Sequence, residues 1–297
     1  MNKLKIGYFA DGPWSHQALT KLLSDKTLRV CFICARNDTV DTVLKVMAAE
    51  NNLDFITHPK INSEEFRGLM KNYECDLFVS MSFNQIFRNE LINLPTLKTI
   101  NCHAGKIPFY RGRNVLNWAL INDEKEFGIT VHYVDEGIDS GDIILQTCYP
   151  ITDEDDYSTL LECAYEACAS NLYDAIKLIQ NNDVKRIVQK NIHPMGFYCS
   201  DRREGDELLE WNQKSRAIFN FVRAICRPGP EARIFMGGHE IKINKVQYLS
   251  EAPEFKGIPG AVIGIDTDGF YVKTKDSYIK VIQWSGYIKP RIGDRFK

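Results

Sequence analysis

The sequence predicts an α/β chain, a Rossmann-like and mostly parallel sheet followed by a small β-barrel of OB-like type. Three observations carry this. Short apolar runs rich in Val, Ile and Phe alternate with stretches of helical spacing from the N-terminus to about residue 180, the pattern of a parallel sheet covered by helices. A dense polar cluster starts at Asn101, where an apolar run stops, and open α/β sheets hold their ligands beyond strand ends of this kind. Past residue 194 the helical pattern gives way to short β-like runs separated by Gly and Asp turns, as in small barrels.

Taken in order, Leu4–Ala10 reads as a strand closed by the turn Asp11-Gly12-Pro13. Ser15 to Leu23 carries Ala18, Leu19, Leu22 and Leu23 at helical spacing, and Leu28–Ala35 is a second strand. A helix over about Val40 to Asn51, the strand Asp54–Thr57, a helix over Glu64–Lys71 and the strand Leu77–Ser80 follow. The chain then offers a loop from Asn101 to Gly112, a helix over Val115–Ile121 and strands at Ile129–Val134 and Ile143–Gln146. A long helix over 157–180 has Leu160, Leu161, Ala164, Cys168, Leu172, Ile176 and Ile179 on its apolar face. These segments define a first domain over 1–193. The polar, helix-poor stretch 194–214 reads as a linker, and 215–297 as the second domain. That domain opens with a helix over Ser215–Ile225, before β-runs at Glu231–Phe235, Glu240–Val246, Gly260–Ile265, Gly269–Thr274 and Tyr278–Gln283.

Composition excludes several classes. The 297 residues are 44% hydrophobic and 26% charged with a net charge of -2, ordinary for a globular enzyme. The basic footprint of a nucleic-acid-binding protein is missing. No segment approaches the roughly 18 apolar residues of a membrane span, and the N-terminal apolar run is too short for a signal peptide. The expectation is a cytoplasmic protein with no membrane and no nucleic-acid partner. The nine cysteines are odd in number and mostly sit in apolar runs, so they read as buried thiols. Cys31 and Cys34 form a CxxC with no second pair to complete a metal site, so no metal is expected. The dinucleotide fingerprint GxGxxG is absent, which removes support for a nicotinamide cofactor.

The chemistry concentrates in Asn101-Cys102-His103-Ala104-Gly105-Lys106-Ile107-Pro108-Phe109-Tyr110-Arg111-Gly112-Arg113. Asn101 and His103 are two apart, so in extended chain they share a face. A second polar turn, Asp135 to Asp142, follows another strand and would fold beside the first. An amide, an imidazole and a carboxylate converging at one edge suit acyl transfer to an amine: the amine must lose a proton, and the tetrahedral oxyanion needs fixed donors. Asn101 supplies a donor, His103 moves a proton near neutral pH, and Asp139 orients the imidazole. Taken singly, each has a bland reading: His103 as a loop hydrogen-bonder, Asp139–Asp142 as a turn, Arg111–Arg113 as a solvated bend.

Jointly, Phe83-Asn84, Asn101-Cys102-His103, Pro108-Phe109-Tyr110-Arg111-Gly112, Gly128 to His132 and Gly137 to Asp142 resemble the catalytic domain of formyltetrahydrofolate-dependent formyltransferases, over about residues 3–190. The resemblance implies Asn101, His103 and Asp139 as the catalytic trio and N10-formyltetrahydrofolate as co-substrate. It also implies that the pterin lies against Met81, Ser82, Phe83 and Ile86 and against the loop with Val134, Asp135, Gly137 and Asp142.

Three classes share this domain, acting on methionyl-tRNA, glycinamide ribonucleotide or nucleotide-linked amino sugars. The extra C-terminal residues weigh against the purine enzyme. The C-terminal region, with Ser215, Arg223, Pro228 and Gly293-Asp294-Arg295, resembles the barrel of the tRNA enzyme. That enzyme carries a basic insertion after the second strand, whereas Ala35 to Asp41 here is short and slightly acidic. The loop Tyr110 to Trp118 and the run Ile121 to Tyr133 are closer to sugar N-formyltransferases, some of which keep the barrel. That class implies a UDP- or dTDP-linked amino-deoxysugar for bacterial surface polysaccharides. Gly12, Trp14, Lys106, Tyr110 and Arg113 would meet it, the two cations at its diphosphate. Methionyl-tRNA formylation is the alternative. A homodimer through the barrel and a non-catalytic regulator both stay open, although the intact trio speaks against the second.

Overall fold

The computed structural model describes residues 3–286 and 289–296. The chain runs β1 (Leu4–Ala10), α1 (Pro13–Ser24), β2 (Leu28–Ala35), α2 (Thr42–Glu50), β3 (Asp54–Thr57), α3 (Glu64–Lys71) and β4 (Leu77–Met81). It continues through α4 (Asn89–Ile92), β5 (Thr99–His103), β6 (Arg111–Gly112), α5 (Val115–Ile121), β7 (Glu126–Tyr133) and β8 (Ile143–Pro150). After α6 (Tyr157–Gln180), α7 (Gln189–Ile192) and β9 (Tyr198–Cys199) come α8 (Ser215–Ile225) and β10 (Ala232–Met236). The last strands are β11 (His239–Gln247), β12 (Val262–Ile265), β13 (Phe270–Lys273) and β14 (Tyr278–Ser285).

Two compact units arise. The first comprises residues up to Arg113, Phe127–Tyr149 and Glu162–Cys199. Its seven-stranded sheet has the order β3-β2-β1-β4-β5-β7-β8. β1 to β5 pair in parallel, while β7 runs antiparallel to β5. The sheet is thus mostly parallel, and its reversal at β7 pairs Ile100–His103 of β5 with Thr130–Tyr133 of β7. α2 and α3 begin on Asp41 and Ser63, whose side chains accept the N–H groups of Leu44 and Phe66.

The core over β1, β2 and β4 is aromatic. Phe9 lies 5.2 Å from Phe78 and 5.0 Å from Phe87, edge to face, and Phe32 and Phe66 join the same cluster. Each such ring stabilises the fold by roughly 1.5–3 kcal/mol through burial. Gly7 makes room for them, since a Cβ there would come within 3.0 Å of both Phe32 and Phe78.

The second unit comprises Asn114–Glu126, Pro150–Leu161 and Ser200–Lys297. Its five-stranded sheet is antiparallel, in the order β10-β11-β14-β13-β12. α8 ties this unit's segments together. Arg216 reaches Asp123 at 2.5 Å and Asp153 at 2.7 Å, Arg223 donates to the Thr152 carbonyl at 2.6 Å, and the Asn117 amide donates to the Ala224 carbonyl at 2.5 Å. Among the described residues no helix is long and apolar enough to cross a membrane.

Candidate active site

The carboxyl end of β5 carries the polar cluster. Asn101 and His103 share one face, and antiparallel pairing sets Asn101 directly opposite His132 of β7. The turn after β7 then returns Asp139 to the same spot. Its oxygens lie 3.6 Å from His103 Nδ1, 3.4 Å from His132 Nε2 and 3.5 Å from Asn101 Nδ2. The structure therefore brings the three expected residues together and adds a fourth, His132, which is 2% exposed.

Hydrogen-bond partners fix the ring protons. His103 Nε2 is 2.7 Å from the Tyr110 carbonyl, which only accepts, so that nitrogen carries a hydrogen and Nδ1 faces Asp139. His132 Nδ1 likewise donates to the Tyr133 carbonyl at 2.8 Å. Its Nε2 is left toward Asn101 Nδ2, at 3.3 Å, and toward Asp139. Burial by itself pushes the Asp139 carboxyl up. The charge of His103, the hydrogen bond and charge of His132 and the Gly112 N–H outweigh it and hold the carboxyl well below the usual carboxylate range. The Asp139 carboxylate thus lies between two imidazoles.

The surroundings are built to hold this geometry. A Cβ on Gly105 would fall within 3.0 Å of the Tyr110 carbonyl and of His103 Nε2, so only glycine lets the loop close on the imidazole. Thr130 Oγ donates to the Gly105 carbonyl at 2.7 Å, and Gln146 Nε2 bonds both Thr130 and the Ile107 carbonyl at 2.8 Å. Gly112 N–H donates to Asp139 at 2.9 Å. Arg111 is 7% exposed, and its guanidinium bonds Gln189.

The segments expected at the pterin border the aromatic core. Met81 is buried, and Phe83 and Val134 both pack against the same cluster. Ile86 is exposed. The Ser82 carbonyl accepts from Arg36. Asp135 ties its own turn, accepting the Gly137 N–H at 3.1 Å and the Ser140 hydroxyl at 2.7 Å. Asp142 accepts the Tyr133 N–H through its carbonyl at 2.9 Å. A recess of about 230 Å³ is lined by Ile92, Lys98, Val134, Asp135, Asp142 and Arg186. A larger cavity, about 390 Å³, sits at the amino ends of β1 to β3 beside Lys5, Arg29 and Asp54. Its lining includes none of the expected site residues, and in sheets of this kind ligands bind at the opposite edge.

The residues expected at the amine substrate fall into two groups. Gly12 closes the turn after β1 as the residue before α1, its N–H donating to Asp41 at 2.7 Å, whereas Trp14 lies in the first turn of α1 and meets Tyr165 edge to face at 4.7 Å. Lys106, Tyr110 and Arg113 belong to the loop after β5. Arg113 is exposed and Lys106 half-buried. The Tyr110 ring is buried against Phe197, 4.9 Å away, and its carbonyl faces His103. Among the described residues no group of three or more His, Cys, Asp or Glu side chains could hold a metal ion.

An amide donor, an imidazole and a buried carboxylate at a sheet edge form an acid–base site of the kind acyl transfer uses. Comparison with known proteins gives the family. The chain belongs to the formyl transferase family: residues 8–176 match the formyl transferase domain and residues 203–287 its C-terminal domain. It is an enzyme of formyl transfer. It is 27% identical to the methionyl-tRNA formyltransferase of Carboxydothermus hydrogenoformans over 317 aligned positions, covering 99% of this chain and 100% of the relative. It is 32% identical to the methionyl-tRNA formyltransferase of Halalkalibacterium halodurans over 233 residues, 78% of this chain and 72% of the relative. Among solved structures it is similar to WlaRD, a sugar 3N-formyl transferase determined with dTDP and 5-N-formyl-THF. That likeness has a TM-score of 0.69 at 23% identity and covers 98% of this chain and 100% of the other.

Proposed function

We propose that this chain transfers the formyl group of N10-formyltetrahydrofolate to the primary amine of a deoxysugar carried on UDP or dTDP, in a cell that builds bacterial surface polysaccharides. The amine nitrogen bonds the formyl carbon, the bond from that carbon to N10 breaks, and one amine proton passes to N10. Asn101 donates an amide hydrogen to the formyl oxygen as it gains charge. His103 moves the proton, and Asp139 stabilises the imidazolium. The folate would lie between the 81–86 and 134–142 segments, and Arg113 and Lys106 would meet the diphosphate.

The observation that carries a small acceptor over a tRNA is the loop after β2. Its one cation, Arg36, lies 3.3 Å from Asp11 and donates to the Ser82 carbonyl. Asp38 and Asp41 flank it. A tRNA acceptor stem needs several cationic contacts, and this loop instead exposes the carboxylate of Asp38 and has its one arginine already engaged. WlaRD, a sugar 3N-formyl transferase determined with dTDP and 5-N-formyl-THF, shares the fold over 98% of the chain. A second reading, formylation of methionyl-tRNA, is favoured by a different observation: the sequence relatives at 27–32% identity carry that name.

The test is a panel of UDP-, dTDP- and GDP-linked amino sugars beside charged initiator tRNA, each with N10-formyltetrahydrofolate and read by product mass. Formylation of a nucleotide sugar is expected. His103→Ala should lower turnover by roughly 100-fold or more, and Arg113→Ala should raise KM for the sugar nucleotide about tenfold while sparing folate. Formylation of the tRNA with no sugar accepted would put the second reading in place of the first.

A further inference from the structure

Gln189 is a glutamine with 3% exposure at the start of α7. It lies between the two family-matched segments, in neither of them. A buried carboxamide has two hydrogens to place and an oxygen to satisfy, and here each finds a partner. Nε2 donates to the Asp139 carbonyl at 2.9 Å and to the Gly141 carbonyl at 2.7 Å. Oε1 accepts from Arg111 Nε at 2.9 Å and Nη2 at 2.6 Å. The amide has one orientation only, because a guanidinium solely donates and carbonyls solely accept. Arg111 is held in turn by the Met195 carbonyl at 3.2 Å and by the face of Tyr198, 5.3 Å from its ring centre.

These contacts converge on one residue. Asp139 has φ +50°, in the left-handed region that a side-chain-bearing residue adopts only when its surroundings hold it there. Its carbonyl is pinned by Gln189 and its carboxylate by Gly112 N–H. Gly112 follows Arg111 in β6, so one two-residue strand holds the Asp139 side chain directly and its backbone through Gln189. We propose that Gln189 is a positioning residue for formyl transfer: it fixes the main chain at Asp139 so that the carboxylate stays on the Nδ1 edge of His103. The inference rests on the reading of Asp139 as part of the catalytic trio.

Gln189→Glu tests it. The variant is nearly isosteric and keeps an acceptor for Arg111, but both donors to the 139–141 backbone are gone. With whichever acceptor of the panel above the wild type formylates, kcat should fall about 10- to 100-fold, as a small misplacement of a reacting group does. KM for folate and for the acceptor should stay within about threefold, the thermal midpoint should stay close to that of the wild type, and a crystal structure should show the Asp139 carboxylate displaced from Gly112 N–H. The paired change Arg111→Met with Gln189→Met, which leaves no buried charge behind, should give the same kinetic split. Asp139→Asn separates the two layers. If it is inactive while both Gln189 variants turn over at the wild-type rate, the inference fails and the catalytic reading stands. Wild-type turnover by Asp139→Asn overturns both. A rise in KM without loss of kcat, or failure of both Gln189 variants to fold, overturns the positioning role.

Discussion

At the residue scale, Asp139 makes stability depend on pH. Its folded carboxyl is held below its ordinary value of 3.8, because the pull of His103, His132 and the Gly112 N–H exceeds the opposing effect of burial. A carboxyl depressed on folding adds stability above its unfolded pKa, and that stability is lost as pH falls through the folded value. Wild type should therefore exceed Asp139→Asn in urea midpoint at pH 7, with the gap closing below about pH 4. A gap that stays constant down to pH 3 would mean the carboxylate charge is not what the site stabilises. The trio itself was legible in the sequence, since residues two apart on a strand and a carboxylate in a turn leave local traces. His132 was present in the same motif without a role, because its meeting with Asn101 depends on the pairing direction of β7, which no local pattern encodes. Gln189 left no trace at all. A lone glutamine is a surface residue until the fold buries it, and its partners are 48 and 50 residues away in the chain.

At the scale of elements, Asp41 shows how the sheet edge near Gly12 is held. One oxygen accepts the Leu44 N–H at 3.0 Å and starts α2. The other accepts Gly12 N–H at 2.7 Å and lies 2.8 Å from His16 Nε2. A lost N-cap costs about 1 kcal/mol, and a hydrogen bond to a charged group about 1.5–3 kcal/mol. Because these contacts share one carboxylate, Asp41→Ala should cost about 2–3 kcal/mol in urea unfolding, and Asp41→Asn markedly less since it keeps the cap. Equal losses would assign the effect to the charge rather than the cap. Elements of this kind were readable where they were long: the strands Leu4–Ala10 and Leu28–Ala35 and the helices Glu64–Lys71, Val115–Ile121, 157–180 and Ser215–Ile225 follow from apolar spacing. α4, β6 and β9 are two to four residues long, too short for any period to show. The stretch expected as linker contains β9, which pairs with β6 next to the site. Such a pairing is created by the tertiary fold, not by the propensity of Tyr198 and Cys199.

Over the whole molecule the deciding property is charge. The chain has 37 Lys and Arg against 39 Asp and Glu, and several of the cations are paired: Arg216 with Asp123 and Asp153, Arg233 with Glu207 and Glu240, Lys280 with Asp266 and Asp268, Arg36 with Asp11. With the two signs nearly equal in number, the chain has no net positive charge to draw a polyanion toward it. An enzyme that grips an RNA backbone displaces condensed counterions, and each phosphate contact steepens its salt dependence; six to ten contacts cost about 10³–10⁵ in affinity between roughly 50 and 200 mM salt. A nucleoside diphosphate held by one or two cations, such as Arg113 and Lys106, has no condensed atmosphere to release and feels only screening. The amine substrate's KM should accordingly rise less than about tenfold over that salt range, with kcat unchanged. The measurement is steady-state kinetics at fixed saturating folate across a potassium chloride series. A loss of about 100-fold or more would require many phosphate contacts at once, and the tRNA reading would then account for the charge distribution better than the sugar.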